Sequence, residues 1–247
     1  MKVGLAGQPP AGILLIDKPQ GWTSHDVVAK VRGLTGVKKV GHAGTLDSLA
    51  TGLLIVLVGK EFTKKQDQLM KLDKEYWCEA ELGMTTDSYD LDGEVSSQAE
   101  WQQVKQIDQI QLEKILLRFT GKIMQTVPAF SAVKIKGQKL YDRARRGQLA
   151  NVTLPSREVE IKELELVEFQ QNFTEQKSIF KIRLVCSSGT YVRSLIHDIG
   201  QELGVGAVVT NLRRTRIGQY QLSEVDPTFS LTDSLTDGKQ SRVNGKL

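Results

Sequence analysis

Tyr76-Trp77-Cys78-Glu79-Ala80-Glu81-Leu82 alternates with a period of two. Tyr76, Cys78, Ala80 and Leu82 fall on one face and Trp77, Glu79 and Glu81 on the other, the pattern of a half-buried strand. Upstream, Leu53 to Val58 is a continuous apolar run and reads as a strand buried on both faces. Ile13 to Ile16 is a short apolar strand ended by Asp17-Lys18-Pro19, and Ser24 then reads as the cap of a helix with Val27, Val28, Val31 and Leu34 on one face. Downstream, Leu112, Ile115, Leu116 and Phe119 recur at helical spacing over Asp108 to Phe119, with Gly121 just beyond the end. Strands are expected over Val159 to Leu166, whose alternation slips phase near Lys162, and over Phe180 to Cys186. After the turn Ser187-Ser188-Gly189, an amphipathic helix is marked by Val192, Leu195, Ile196, Ile199 and Leu203 and closed by Gly204; Ala207 to Ile217 is the last strand. Alternating strands outnumber continuous apolar runs, so the expected fold is α+β, with a mainly antiparallel or mixed central sheet flanked by helices.

The chain has 247 residues, 40% of them hydrophobic and 25% charged, enough for a sizeable core. Its formal charge of +4 permits a polyanionic partner without requiring one. Leu53 to Val58, the longest apolar run, falls far short of the roughly 20 residues of a membrane helix, and Met1 to Gly12 lacks a secretory pattern, so a cytoplasmic protein is expected. Cys78 and Cys186 form no C-x-x-C pair, and His25, His42 and His197 show no metal-ligand spacing, so no metal is expected. Gly52 to Lys60 is not a phosphate loop, because six residues separate Gly52 from Gly59 and Glu61 stands where Ser or Thr is required. Ser88 to Gly93 imitates a calcium loop, but Ser88 and Ala99 occupy ligand positions that need acids, and the segment reads as a solvated turn. No G-x-S-x-G elbow is present.

Between Val40 and Leu53 lies Gly41-His-Ala-Gly-Thr-Leu-Asp-Ser-Leu-Ala-Thr-Gly52, whose glycines and small polar residues suit a tight pocket floor around His42 and Asp47. By spacing alone, Asp47 equally suits the cap of a helical turn through Ser48 to Thr51. The segment resembles the signature of the TruB family of tRNA pseudouridine synthases, G-H-x-G-x-L-D-P-x-A-T-G. Further similar stretches are GILLIDKPQGWTS at 12–24, KEY at 74–76, VPAFSAVKIKGQKLYDRARRG at 127–147, SSGTYVRSLIHDIG at 187–200 and LRR at 212–214, in the family's order.

The resemblance implies the pseudouridine synthase fold and conversion of a T-loop uridine of tRNA, position 55, to pseudouridine, without cofactor or metal. It implies that Asp47 is the catalytic carboxylate, attacking the ribose C1′ or removing a ribose proton. It pairs Arg193 with Asp47 and stacks Tyr76 on a flipped uracil; on pattern alone Tyr76 is a core residue and Arg193 a phosphate contact or surface residue. It further implies that His42 intrudes on the T loop as the base leaves, and that Lys18, Tyr191 and Leu212 line the pocket.

RNA contact is expected from Lys134 to Arg146, where Lys134, Lys136, Lys139, Arg143, Arg145 and Arg146 face Asp142 alone while the stretch from Arg157 to Glu168 is acidic. Arg213, Arg214 and Arg216 are expected to extend that footprint. Residues 1–226 are assigned to the catalytic domain, about 123–150 being a basic RNA-binding insertion, and 227–247 to a short polar tail lacking a complete PUA domain. The expected partner is the T stem-loop of tRNA, bound by a monomer with no membrane or protein partner. Two departures from the family pattern are Ser48 in place of proline, expected to loosen the loop, and Phe130 in place of tyrosine. The competing readings are an RNA-binding module without turnover and an enzyme that releases free uracil.

Overall fold

A computed structural model describes residues 11–135, 137–149, 152–226 and 231. In chain order the elements are β1 (Gly12–Lys18), α1 (Ser24–Thr35), β2 (Val40–His42), β3 (Thr51–Val58), α2 (Lys60–Thr63), α3 (Gln66–Met70), β4 (Lys74–Leu82), β5 (Met84–Thr86), β6 (Val95–Gln98), α4 (Trp101–Val104), α5 (Gln109–Arg118) and β7 (Gly121–Thr126). There follow β8 (Lys134–Ile135), β9 (Gln138–Lys139), α6 (Leu140–Arg145), β10 (Ser156–Asn172), β11 (Lys177–Cys186), α7 (Val192–Glu202), β12 (Ala207–Ile217) and β13 (Tyr220–Gln221). The main sheet runs β1-β3-β12-β4-β11-β10-β7, with β2 added to β3 and β13 to β12. All its pairings are antiparallel except β12 with β3, where Arg213 lies opposite Thr51 and Arg214 opposite Gly52. The fold is therefore α+β on a mixed sheet.

The alternation of β4 decides which face the helices cover. Tyr76, Cys78, Ala80 and Leu82 join Phe180, Ile182 and Leu184 of β11 beneath Leu112 and Leu116 of α5 and Leu195, Ile196 and Ile199 of α7. The opposite face carries charge, with Arg183 donating to Glu75 and Glu163 at 2.7 Å each. β3 has no polar face because it is covered twice. Leu54, Val56 and Val58 pack with Ile16, Val27, Val28 and Val31, while Leu53, Ile55 and Leu57 pack with Leu69 and Ile217. The phase slip near Lys162 corresponds to a break in register between Ile161 and Glu163 opposite β11.

Several sequence expectations are corrected. α1 is capped by Thr23, which forms a reciprocal box with Asp26; Ser24 is buried and bonds the main chain of Leu46. Leu34 is 51% exposed, because the apolar stripe of α1 ends at Val31. Gly121, at φ +92°, opens β7, while Phe119 ends α5. Residues 123–126 belong to the main sheet through β10, so the basic excursion begins after them. Of the expected tail, Leu231 is buried against the α1 cluster, and residues 227–230 and 232–247 lie outside the described residues. Among the described residues no helix is long and apolar enough to cross a membrane.

Candidate active site

Asp47 sits on the loop between β2 and β3, and that loop is tied down from three sides. Ser24 both donates to the carbonyl and accepts from the amide of Leu46, at 3.1 and 2.9 Å. The Ser48 carbonyl accepts from Gly21 N at 2.8 Å and Lys18 Nζ at 3.4 Å. From β12, Arg214 donates to the carbonyls of Leu53 (2.8 Å), Gly44 (3.1 Å) and Thr45 (3.4 Å). No helix follows Asp47; a single Ala50 N to Asp47 O bond of 3.2 Å turns the chain, so the side chain caps nothing. The hydroxyl of Ser48 donates to Asp92 at 3.0 Å, so this loop is anchored rather than loosened at Ser48.

Asp47 faces Arg193, in the first turn of α7. Arg193 Nε donates to Asp47 Oδ2 at 2.8 Å, Nη1 to the Ser88 carbonyl at 2.5 Å and Nη2 to the Phe130 carbonyl at 3.0 Å, with Asp90 Oδ2 at 3.4 Å from Nη1. Each guanidinium nitrogen is engaged, which fixes the plane of the group. One oxygen of Asp47 is held and the other accepts no bond among the described residues, leaving it presented to a cleft of about 980 Å³. The cleft is also lined by His25, Tyr76, Lys139, Tyr141, Arg157, Tyr191, Leu212 and Arg214.

The segment from Ser88 to Gly93 is solvated only in part: Leu91 and Asp92 are exposed, but its first half is not. Ser88 and Asp90 are buried, Ser88 Oγ donates to Asp90 Oδ1 at 2.5 Å, and the strand β12 reaches the segment through Val209 N to Tyr89 O at 3.2 Å. Tyr89 adopts φ +67° and stacks on His197 of α7 with ring centroids 3.9 Å apart. A tyrosine in the left-handed region is strained, and the stack and the strand contact hold it there. Burial raises the pKa of Asp90, and Arg193 opposes that rise without cancelling it.

Tyr76 and Leu212, neighbours on the covered face of the sheet, form the apolar floor of the cleft. Burial raises the pKa of the Tyr76 hydroxyl. Tyr191 precedes α7, its amide and carbonyl clasped by the buried amide side chain of Gln125 at 2.8 and 2.9 Å. Lys18 does not line the cleft. It is fully buried beneath the loop, donating to the carbonyls of Pro19 (2.9 Å) and Trp22 (2.6 Å) as well as Ser48. Burial brings its pKa down to about 8, against the pull of Asp47. His42 is likewise absent from the cleft wall; its ring stands edge-on to His25, 5.4 Å away, and it is His25 that lines the cleft. Burial and then the neighbouring His25 lower the pKa of His42 to about 4.

Lys134, Lys139 and Arg143 gather on the β8–β9 hairpin and α6 around a second hollow of about 390 Å³, and Lys139 also reaches the cleft. Lys136 lies outside the described residues. The three arginines of β12 are each already engaged within the protein. Arg213 pairs with Asp17 at 2.6 Å, Arg216 lies 3.6 Å from Glu75, and Arg214 is 1% exposed. Sequence reading missed Asp90, Gln125 and Arg214 as parts of the site. The usable signal for Asp90 was chemical: a buried Arg193 needs more acceptors than Asp47 alone supplies.

Residues 32–192 match the model of the TruB family pseudouridylate synthase N-terminal domain, and residues 193–240 that of the tRNA pseudouridylate synthase B C-terminal domain. The tRNA pseudouridine synthase B of Leifsonia xyli subsp. xyli is 42% identical over 91% of this chain and 75% of its own length. That of Chlamydia felis is 41% identical over 94% of this chain and 97% of its own length. Among solved structures, a chain from a Cbf5-Nop10-Gar1 complex superposes with a TM-score of 0.61 and 29% identity over 85% of this chain. A chain of an H/ACA RNP bound to a substrate RNA containing 2′-deoxyuridine gives 0.60 and 26% over 85%. This chain spans about half the length of those two chains.

Proposed function

This chain belongs to the TruB family of pseudouridylate synthases, and we propose that it isomerises uridine to pseudouridine in tRNA, at position 55 of the T loop. The observation that carries this reading is the 2.8 Å bond from Arg193 to Asp47, at the floor of a cleft with an aromatic wall. In this reading the target uridine leaves its stack and enters the cleft, at an unstacking cost of a few kcal/mol. The free oxygen of Asp47 attacks C1′ or takes a ribose proton while the bond from C1′ to N1 breaks. The uracil turns over Tyr76 and C5 joins C1′ as C1′ releases the Asp47 oxygen, or as the ribose regains the proton that Asp47 took, and the proton lost from C5 balances the one gained at N1. The reaction is thus a true isomerisation and consumes no other reactant.

The basic hairpin and α6 would hold the flanking RNA, with Lys134, Lys139 and Arg143 as its phosphate contacts. His42, 5.4 Å from the cleft-lining His25, would intrude on that RNA as the base leaves its stack. The protein would act as a monomer on the T stem-loop in the cytoplasm. The deciding experiment incubates the full chain with unmodified tRNA transcript and maps pseudouridine by carbodiimide-dependent reverse-transcription stops. A stop in the T loop is expected with wild type and not with Asp47→Asn. Equal modification by both proteins would sink the role given to Asp47.

A further inference from the structure

Arg157, the second residue of β10, stands opposite Gln125 of β7 and lines the same cleft as Asp47. Its guanidinium carbon lies 4.9 Å from the centre of the Tyr191 ring. On its other side is Gly189, at φ +85°, where an added Cβ would come within 3.0 Å of Arg157 Nη1. The Ser187–Gly189 turn thus leaves a slot in which the guanidinium sits over the tyrosine ring.

What separates Arg157 from Arg193, Arg214 and Lys74, the cleft's other cations on the main sheet and α7, is that its donors are unspent. Arg193 and Arg214 donate throughout to carboxylates and carbonyls, and Lys74 donates to the Met70 and Leu72 carbonyls at 2.5 Å each. Arg157 has no hydrogen bond or carboxylate partner among the described residues, and its neighbour Glu158 faces Lys122 at 3.2 Å. A half-buried guanidinium held over an aromatic ring, uncompensated and open to a cleft, is preorganised for an anion with two oxygens to offer.

We propose that Arg157 binds a phosphodiester of the RNA strand beside the nucleotide that enters the cleft, with Tyr191 as the surface that orients it. This rests on the reading of the cleft as an RNA site. It assigns Arg157 a role unlike that of Arg193, whose donors are consumed inside the protein.

The test measures binding of a T stem-loop transcript to the full chain by fluorescence anisotropy over a series of salt concentrations, with single-turnover pseudouridine formation at saturating RNA in parallel. Arg157→Gln is expected to raise Kd about tenfold and make the slope of log K against log salt shallower by about 0.7 to 0.9, the release of one counterion fewer. Arg157→Met, which keeps the stem over Tyr191, should give the same slope, and Arg157→Lys should restore it. The rate at saturating RNA should fall by less than about threefold, placing the effect in binding. A slope unaltered in both uncharged variants would overturn the proposal, as would a tenfold loss of saturated rate with the slope intact. Wild type that binds with the Arg157-dependent slope yet forms no pseudouridine would sink the proposed function and leave this assignment standing.

Discussion

Arg193 and Asp47 form a pair of unequal burial: the arginine side chain is 4% exposed and the aspartate 40%. The guanidinium is part of the protein interior, while the carboxylate it holds opens onto the cleft. Such an arrangement keeps the position of the acid fixed and its second oxygen available. The buried partner Asp90, 4% exposed, supplies the countercharge that lets the arginine remain inside.

Arg193→Lys should therefore damage turnover far more than binding. An ammonium cannot engage Asp47, Ser88 and Phe130 from one plane, so kcat is expected to fall about 10²- to 10³-fold with RNA Kd within about threefold. Arg193→Met, which leaves the buried Asp90 without its cationic partner, should lower unfolding free energy by about 3–5 kcal/mol. A methionine variant as stable as wild type in urea titrations would contradict the burial argument.

Asp90→Asn keeps shape but removes one of two charges from the guanidinium. Because Asp47 and Asp90 share that group, the effects of Asp90→Asn and Arg193→Lys on kcat should not add. A double-mutant cycle is expected to show coupling of about 1–3 kcal/mol, and strict additivity would mean that Asp90 does not act through Arg193.

His42 makes stability fall in acid. Its pKa in the folded protein is about 4, against an ordinary 6.5, so between those values the unfolded chain binds more protons. The histidine's contribution is complete above about pH 6.5 and is lost as pH falls toward 4. Discounted for partial exposure, the loss is on the order of 1–2 kcal/mol. Urea unfolding at about pH 7 and about pH 5 should show a smaller decline for His42→Gln than for wild type; an equal decline would exclude His42 as its source.

Gly52 follows the Asp47 loop at φ +100°, and an added Cβ would collide with the carbonyl oxygen of Arg214 across the parallel β3–β12 pairing. Backbone on both sides leaves nothing to yield. Gly52→Ala is expected to cost about 3 kcal/mol or more and to lower the melting temperature by several degrees. A variant with unchanged melting would mean that the loop and strand are looser than this register allows.

Periodicity alone specified most of the sheet and the helices that cover it. Period two in β4 and period 3.6 in α7 follow from which face is buried, and burial is written directly into residue order. The phase slip in β10 was legible for the same reason. Local chemistry likewise marked the Asp47 loop, and the family motif named Arg193 as its partner. The fate of each cation was not legible, because partners arrive from distant sequence. Arg214 reads as surface charge until β12 lies beside the loop whose carbonyls absorb its donors. Asp90 reads as solvated until α7 brings Arg193 to it. Lys18 and His42 lie in motifs that point to the cleft, yet Lys18 supports the loop from behind it and the ring of His42 stands against His25. Residue order specifies which groups can ionise and which faces are apolar; only tertiary packing decides which ionisable groups are buried, since burial and pairing depend on segments tens of residues away.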